Sequence, residues 1–282
     1  MAIRRVSGVL LLAVTMGAPV TEALAQSSSP PSLLSPVPLP SISGLWTVTV
    51  GANAIGQPAF EGARTTAFTA TPIFSIDRAG GSSQRFRSQR DSPSIALFDY
   101  DGFSAGPAVK LRGARTVSGH FELNGLGDVG LAVEIGGFVQ YFPVDWFRLR
   151  SEIRRGFGGH DGVVADFSAD VIVPVWQRLT WSAGPRFSAQ STGATAPYYG
   201  ITAAQSLASG LPMFDAKGGA HSVGAGSQLR YQITPQWETH AYVEYDRLLG
   251  DAAASPLVTQ RGSPNQVSFG VGASYAFDIR IP

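Results

Sequence analysis

From Ser43 to Phe277 the chain alternates apolar and polar residues with period two, in runs broken by clusters of Gly, Pro, Asn and Asp. Leu131, Val133, Ile135, Val139 and Tyr141 share one face, and Glu134, Phe138 and Gln140 share the other. Val163, Ala165, Phe167, Ala169, Val171 and Val173 oppose Asp166, Ser168 and Asp170 in the same way. Period-two alternation with turn residues between the runs predicts β-strands. Strands are expected at 43–54, 64–77, 84–89, 94–100, 102–112, 129–142, 147–157, 162–174, 178–190, 220–233, 237–248 and 265–277. That is twelve; the stretch around Arg85-Phe86-Arg87 alternates least, and ten is the next even count.

The longer of these runs exceed the five or six residues typical of globular strands and suit the roughly 9–11 residues of a tilted membrane strand. Aromatic residues gather near the run ends, at Trp46, Tyr141, Trp146, Phe147, Trp237 and Phe277, as interfacial girdles require. Short connections at 143–145, 174–177 and 234–236 alternate with long ones at about 113–128, 191–219 and 250–264. Short turns on one side and long loops on the other are the outer-membrane arrangement, with the long loops outside the cell. Only a closed sheet satisfies its backbone in lipid. The expected fold is therefore all-β: a closed antiparallel transmembrane β-barrel over residues 43–277.

Charge then falls on the face turned from lipid. The lumen-facing candidates are Arg148, Arg150, Glu152, Arg154, Asp166, Asp170, Arg186, Glu238, His240 and Glu244. Such residues either line a selective pore or pair with one another and plug a narrow barrel.

Composition agrees. Charged residues make up 15% of the 282, against about 25% in ordinary soluble domains, while Gly is abundant at 33. Dense Gly suits a curved wall. The formal charge of +1 gives no electrostatic claim on nucleic acid. Zero Cys excludes disulfides, thiolate metal sites and a Cys nucleophile.

Residues 1–25 read as an export signal: Arg4 and Arg5, then a short apolar core through Val14, then Ala23-Leu24-Ala25 before Gln26. Cleavage there removes Arg4, Arg5 and Glu22 and leaves the two signs of charge equal. Residues 26–42 carry Pro30, Pro31, Pro36, Pro38 and Pro40 and read as an extended periplasmic tether.

Catalytic chemistry finds little footing. His240 lies on one face with Glu238 and Glu244, but alternate residues on a strand stand about 7 Å apart. No Gly-x-Ser-x-Gly elbow is present. His120, His160 and His221 lack metal-ligand spacing, and Gly218-Gly219 and Gly224 sit in or beside a strand rather than in a phosphate loop. No cofactor, no metal and no enzymatic activity are expected.

Gly272, Tyr275 and Phe277 resemble the C-terminal assembly signal of outer-membrane barrels, with 278–282 as an extension beyond it. Four further stretches resemble the MltA-interacting protein (MipA/OmpV) family of outer-membrane proteins. They are Gly125-Leu126-Gly127-Asp128-Val129; Gly158 to Asp166; Tyr198-Tyr199-Gly200-Ile201-Thr202 continuing through Ser209-Gly210-Leu211-Pro212 to Asp215; and Arg247 to Val258. The resemblance implies an outer-membrane barrel in contact with outer-membrane lipid. It also implies a scaffold role toward periplasmic peptidoglycan enzymes, a lytic transglycosylase and a peptidoglycan synthase. Other members are discussed as porin-like or antibiotic-related proteins, so a channel or small-solute binder is the alternative. The resemblance carries no catalytic residues to this chain.

Overall fold

The computed structural model describes residues 43–282; the expected signal and tether lie outside the described residues. One antiparallel sheet of eleven strands makes up most of it. They are β1 (Gly44–Pro58), β2 (Thr66–Arg78), β3 (Phe98–Tyr100), β4 (Phe103–Arg112), β5 (Ala132–Val144), β6 (Phe147–Gly158), β7 (Val163–Trp176), β8 (Leu179–Gln190), β9 (Gly219–Gln232), β10 (Trp237–Leu248) and β11 (Asn265–Ile281). Their order is β2-β1-β11-β10-β9-β8-β7-β6-β5-β4-β3, so every pair of adjacent strands is consecutive in the chain except β1 with β11, while β2 and β3 are consecutive but unpaired. The sheet curls, with β2 and β3 as its outer strands. Among the described residues no backbone pairing joins those two edges.

Two expectations need correction. The run 84–89 forms no strand; a 3-10 turn at Ser82–Gln84 leads instead into an irregular segment. Its residues explain this. A strand here would set Gln84, Phe86 and Ser88 on one face and Arg85, Arg87 and Gln89 on the other, so neither face offers the apolar stripe that lipid requires. The second concerns the C-terminus. β11 continues to Ile281, with Asp278, Ile279, Arg280 and Ile281 opposite Thr47, Trp46, Leu45 and Gly44, so the residues after Phe277 lengthen a strand. The run expected at 94–100 is ordered as β3 preceded by an isolated bridge between Ser94 and Ala108.

The outward face is apolar and exposed at Ile135, Val139, Leu149, Ile153, Phe167, Val171, Val243, Phe269 and Val271. Exposed aromatics Tyr141, Trp146, Trp176, Trp237, Tyr231 and Phe277 gather toward the short-turn end. Trp46, opposite Ile279, carries the Arg78 guanidinium 5.0 Å over its ring. Inside the curl, a lack of side chain lets strands crowd: a Cβ at Gly136 would meet the Ile153 carbonyl oxygen at 1.9 Å.

The long connections do not hang free. Helices α1 (Thr192–Tyr199), α2 (Ala203–Ser209) and α3 (Gly250–Ala254) and a π-helical turn at Leu257–Arg261 fold over one end of the sheet. Two apolar clusters hold this lid. One joins Phe60, Leu123, Leu126, Ile201, Leu211 and Leu257; the other joins Tyr198, Tyr199, Ala216, Leu248, Ala252 and Val258. Four of the five connections at that end contribute, 159–162 being the exception. Gly125, at φ +83°, permits a close approach to α2, because a Cβ there would stand 2.5 Å from the Ser209 nitrogen.

Leu123 is fully buried in the lid. Leu123→Ala is expected to destabilise it by about 2–5 kcal/mol. The check is limited proteolysis: cleavage within 191–218 should accelerate while the heat-modifiable gel migration of the folded barrel stays unchanged.

Candidate functional site in the sheet interior

Alternation and register together place the interior charges. Arg148, Arg150, Glu152 and Arg154 follow one another on the inner face of β6, opposite Asp170, Ser168, Asp166 and Val164 of β7. Arg148 and Asp170 are thus cross-strand neighbours, with Nη1 3.6 Å from Oδ2. Glu152 and Asp166, however, are two carboxylates facing each other, which is destabilising unless cations intervene. Arg154 intervenes. Its Nε donates to Glu134 at 3.0 Å, its Nη2 to Asp166 at 2.5 Å, and its Nη1 to Glu152.

The network continues around the curl. Arg186 on β8 donates to Asp170 at 2.6 Å and lies 3.6 Å from Glu244 on β10. Arg230 on β9 pairs with Glu238 on β10 at 3.0 Å. The structure therefore brings Arg148, Arg150, Glu152, Arg154, Asp166, Asp170, Arg186 and Glu244 into one connected cluster. It sets Glu238 apart with Arg230, and it gives His240 a different partner, with Nε2 2.7 Å from the Asn53 side-chain oxygen. Among the described residues no carboxylate hydrogen-bonds the His240 ring.

The irregular segment between β2 and β3 supplies what the wall lacks. It turns inward, and Arg90 places its guanidinium 2.6 Å from Asp246, 3.8 Å from Asp166 and 3.9 Å from Glu244, on β7 and β10 together. Asp91 accepts from Arg148 at 2.6 Å and lies 3.6 Å from Arg150. The Ser92 backbone N–H and hydroxyl donate to Glu152 at 3.1 and 2.5 Å. Arg87 pairs with Asp77 on β2 at 3.1 Å, and Asn53 on β1 donates to Gln89 at 3.1 Å. At the short-turn end Phe86 is buried with Phe142 and Ile172, between the guanidinium groups of Arg148 and Arg230 at 5.1 and 5.7 Å. Sequence reading missed these residues. Their signal was a dense set of charges, Arg85, Arg87, Arg90 and Asp91, without an apolar stripe.

A void of about 10 Å³ beside Arg90, Asp91, Arg150, Glu152 and Asp166 is water-sized. A larger groove of about 500 Å³ lies on the outer wall, where Phe103, Tyr141, Leu149, Phe167 and Phe187 rim Ser151, Ala169 and Pro185.

Beneath the lid a second polar layer joins loops to wall. His160 Nε2 is 3.1 Å from Glu134, and His221 Nε2 is 2.6 Å from Glu61, which also accepts from Arg112. The Arg112 guanidinium lies 3.6 Å over the Tyr198 ring. Burial opposes ionisation of Glu61, yet Arg112 and His221 beside it hold its carboxyl well below the usual carboxylate range. Burial pushes the Tyr199 hydroxyl well above its ordinary value. Among the described residues no group of His, Asp and Glu could hold a metal ion, and no helix is long and apolar enough to cross a membrane.

An apolar outer wall of long antiparallel strands, aromatic residues at its turn end and charges gathered on its inner face define an outer-membrane β-barrel protein. The chain belongs to the MltA-interacting protein MipA family, whose profile matches residues 50–277, and its location is the outer membrane. No curated protein matches it. Among solved structures it is similar to an outer membrane channel from Pseudomonas putida F1, at 10% identity and TM-score 0.44, covering 86% of this chain and 100% of that one. It is also similar to the NanC porin at 10% identity and TM-score 0.38, covering 82% and 98%. A loop-deletion form of OmpT from Vibrio cholerae gives 9% and 0.36, covering 84% and 100%.

Two outcomes follow from the interior. Arg154→Ala leaves Glu134, Glu152 and Asp166 short of a cation and should cost about 3–5 kcal/mol in urea unfolding of the refolded barrel. Glu61 titrates lower when folded than its ordinary 4.5, so its stabilisation is complete above that pH and is lost as pH falls toward the folded value. Unfolding measured across this acidic range should show a slope that Glu61→Gln reduces.

Proposed function

We propose that the chain is a non-catalytic outer-membrane barrel whose resting interior is filled, and that it acts as an envelope scaffold for peptidoglycan-remodelling enzymes, a lytic transglycosylase of the MltA kind first. The observation that supports this reading is the ion-paired segment in the interior, where Arg90 bridges β7 and β10 beside a water-sized void, as a filled lumen requires. The description of the family, as MltA-interacting, supports the choice of partner. In lipid the edges of β2 and β3 require backbone partners, and the reading takes the seam to close there. The lid end faces outward from the cell, leaving the short turns toward the periplasm, where such enzymes reside.

The alternative is a porin-like channel or a solute- or antibiotic-binding protein. Conductance separates the two. Refolded protein in planar bilayers is expected to be silent, and immobilised protein is expected to retain purified MltA-type transglycosylase. Steady openings of the wild-type chain would refute the filled interior. A folded barrel that retains no transglycosylase would refute the scaffold role.

A further inference from the structure

The interior is shut at its two ends by different physics. The lid end is closed by apolar packing drawn from four of its five connections, with Tyr199 and Val258 fully buried. The short-turn end is closed by the segment 84–92, which adds no strand to the sheet. Its backbone hydrogen bonds at Arg85 and Asp91 run to Ser82, just before the segment, and to Ser88 within it, not to the wall. What ties it to the wall is side chains: Arg87 to Asp77, Arg90 to Asp166 and Asp246, Asp91 to Arg148, Ser92 to Glu152, and the Phe86 ring. A segment attached by side chains can leave without breaking a ladder, and such units open at free energies below that of global unfolding.

We propose that residues 84–92 are a removable stopper, so that the interior is a one-ended pocket opening at the short-turn end and receiving a guanidinium or ammonium cation in the place of Arg90. The ligand class follows from what the stopper brings and what it leaves. Its interior part carries Arg87 and Arg90 against the single acid Asp91, so its departure takes the paired cation from Asp77 and Asp246 and leaves Asp166 to Arg154 and Glu244 to Arg186. These carboxylates stand on β2, β7 and β10, whose pairing does not depend on the segment. Arg90 is thus a tethered occupant, and a free cation reaching the same carboxylates competes with it. One carboxylate oxygen, Asp246 Oδ1, is buried without a hydrogen-bond donor even with Arg90 seated, so acceptor capacity is already waiting there. The pocket is not a channel, because the lid shares none of the stopper's contacts. The inference goes beyond the scaffold reading, since a pocket at the short-turn end requires no enzyme partner.

The absence of Cys from the chain makes accessibility readable one thiol at a time. Ser88→Cys or Gln89→Cys reports on the stopper, and Thr195→Cys, buried in the lid, reports on the other end. Each is made in the full refolded chain, with heat-modifiable migration confirming the barrel, and labelled with a charged thiol reagent. Adding Arg90→Ala is expected to speed labelling at 88 and 89 about tenfold or more, leave position 195 protected and give no conductance; Arg90→Lys should restore slow labelling. Argininamide should speed labelling of the otherwise wild-type stopper more than sodium chloride at matched ionic strength. Unchanged labelling at both 88 and 89 in a folded Arg90→Ala barrel would overturn the stopper. Conductance, or labelling at 195 in step with 88, would overturn the one-ended pocket, and equal effects of argininamide and salt would overturn the cation site. Transglycosylase retention by the same Arg90→Ala protein is read separately, so failure of the scaffold and failure of the pocket are distinguishable.

Discussion

A curled sheet that turns its apolar face to lipid has to turn its charges inward, and there every charge has to find a partner. Removing an ion from water costs several kcal/mol even after relaxation, and attraction in a poorly screened interior offsets this only with good geometry. The strand register decides how far the wall can meet that demand alone. It succeeds where Arg148 faces Asp170 and fails where Glu152 faces Asp166. Arg154, reaching three carboxylates, repairs part of the deficit, and Arg90 from outside the sheet repairs the rest. The inward segment is in this sense a consequence of the wall's charge pattern: a sheet with these residues on its inner face requires cations that its own strands do not supply.

The same demand explains how the lid is seated. Loops of this length could be independent of the barrel, yet two histidine–carboxylate contacts, His160 with Glu134 and His221 with Glu61, bind loop to wall. Glu134 takes part both in the lid's underside and in the Arg154 cluster, so lid and interior network share a residue. Above that polar layer the lid behaves as a small apolar core, and its glycines serve close approach. Gly125 admits α2, and a Cβ at Gly162 would lie 2.0 Å from the Ala194 nitrogen of α1. The stretches that resemble the family, 125–129, 158–166, 198–215 and 247–258, contribute to this assembly, so their first physical role is to close one end.

What the sequence disclosed, and what it hid, divides along the range of the interactions. Strands such as β5 to β8 were legible because alternation is a property of neighbouring residues, and a one-residue slip would expose every charge to lipid. The inward direction of Arg148, Arg150 and Arg154 follows from the same parity. The fate of 84–92 was not legible, because it is fixed by partners as distant as Asp246, 156 positions from Arg90. Nor were the lid helices, since α1 contains Pro197 and α2 is only seven residues long with no buried residue, too little to signal by periodicity. His240 shows the same limit: its strand neighbours suggested an orienting carboxylate, whereas the residue that meets it is Asn53, on a strand far away in sequence.

The two ends of the molecule also differ in the area they offer a partner. The turns at 145–146, 177–178 and 233–236 are each too small to carry a standard contact of about 800 Å² per partner. A protein docking at that end must span several turns together with the aromatic residues beside them. The stem of the inward segment enters between those turns, where Arg85 pairs with Asp145 at 2.8 Å and Ser82 donates to Asp99 at 2.7 Å. A partner wide enough to bind at the short-turn end therefore also covers the entrance through which that segment would have to leave. Docking there and emptying of the interior compete for one surface, and this exclusion follows from the small size of the turns.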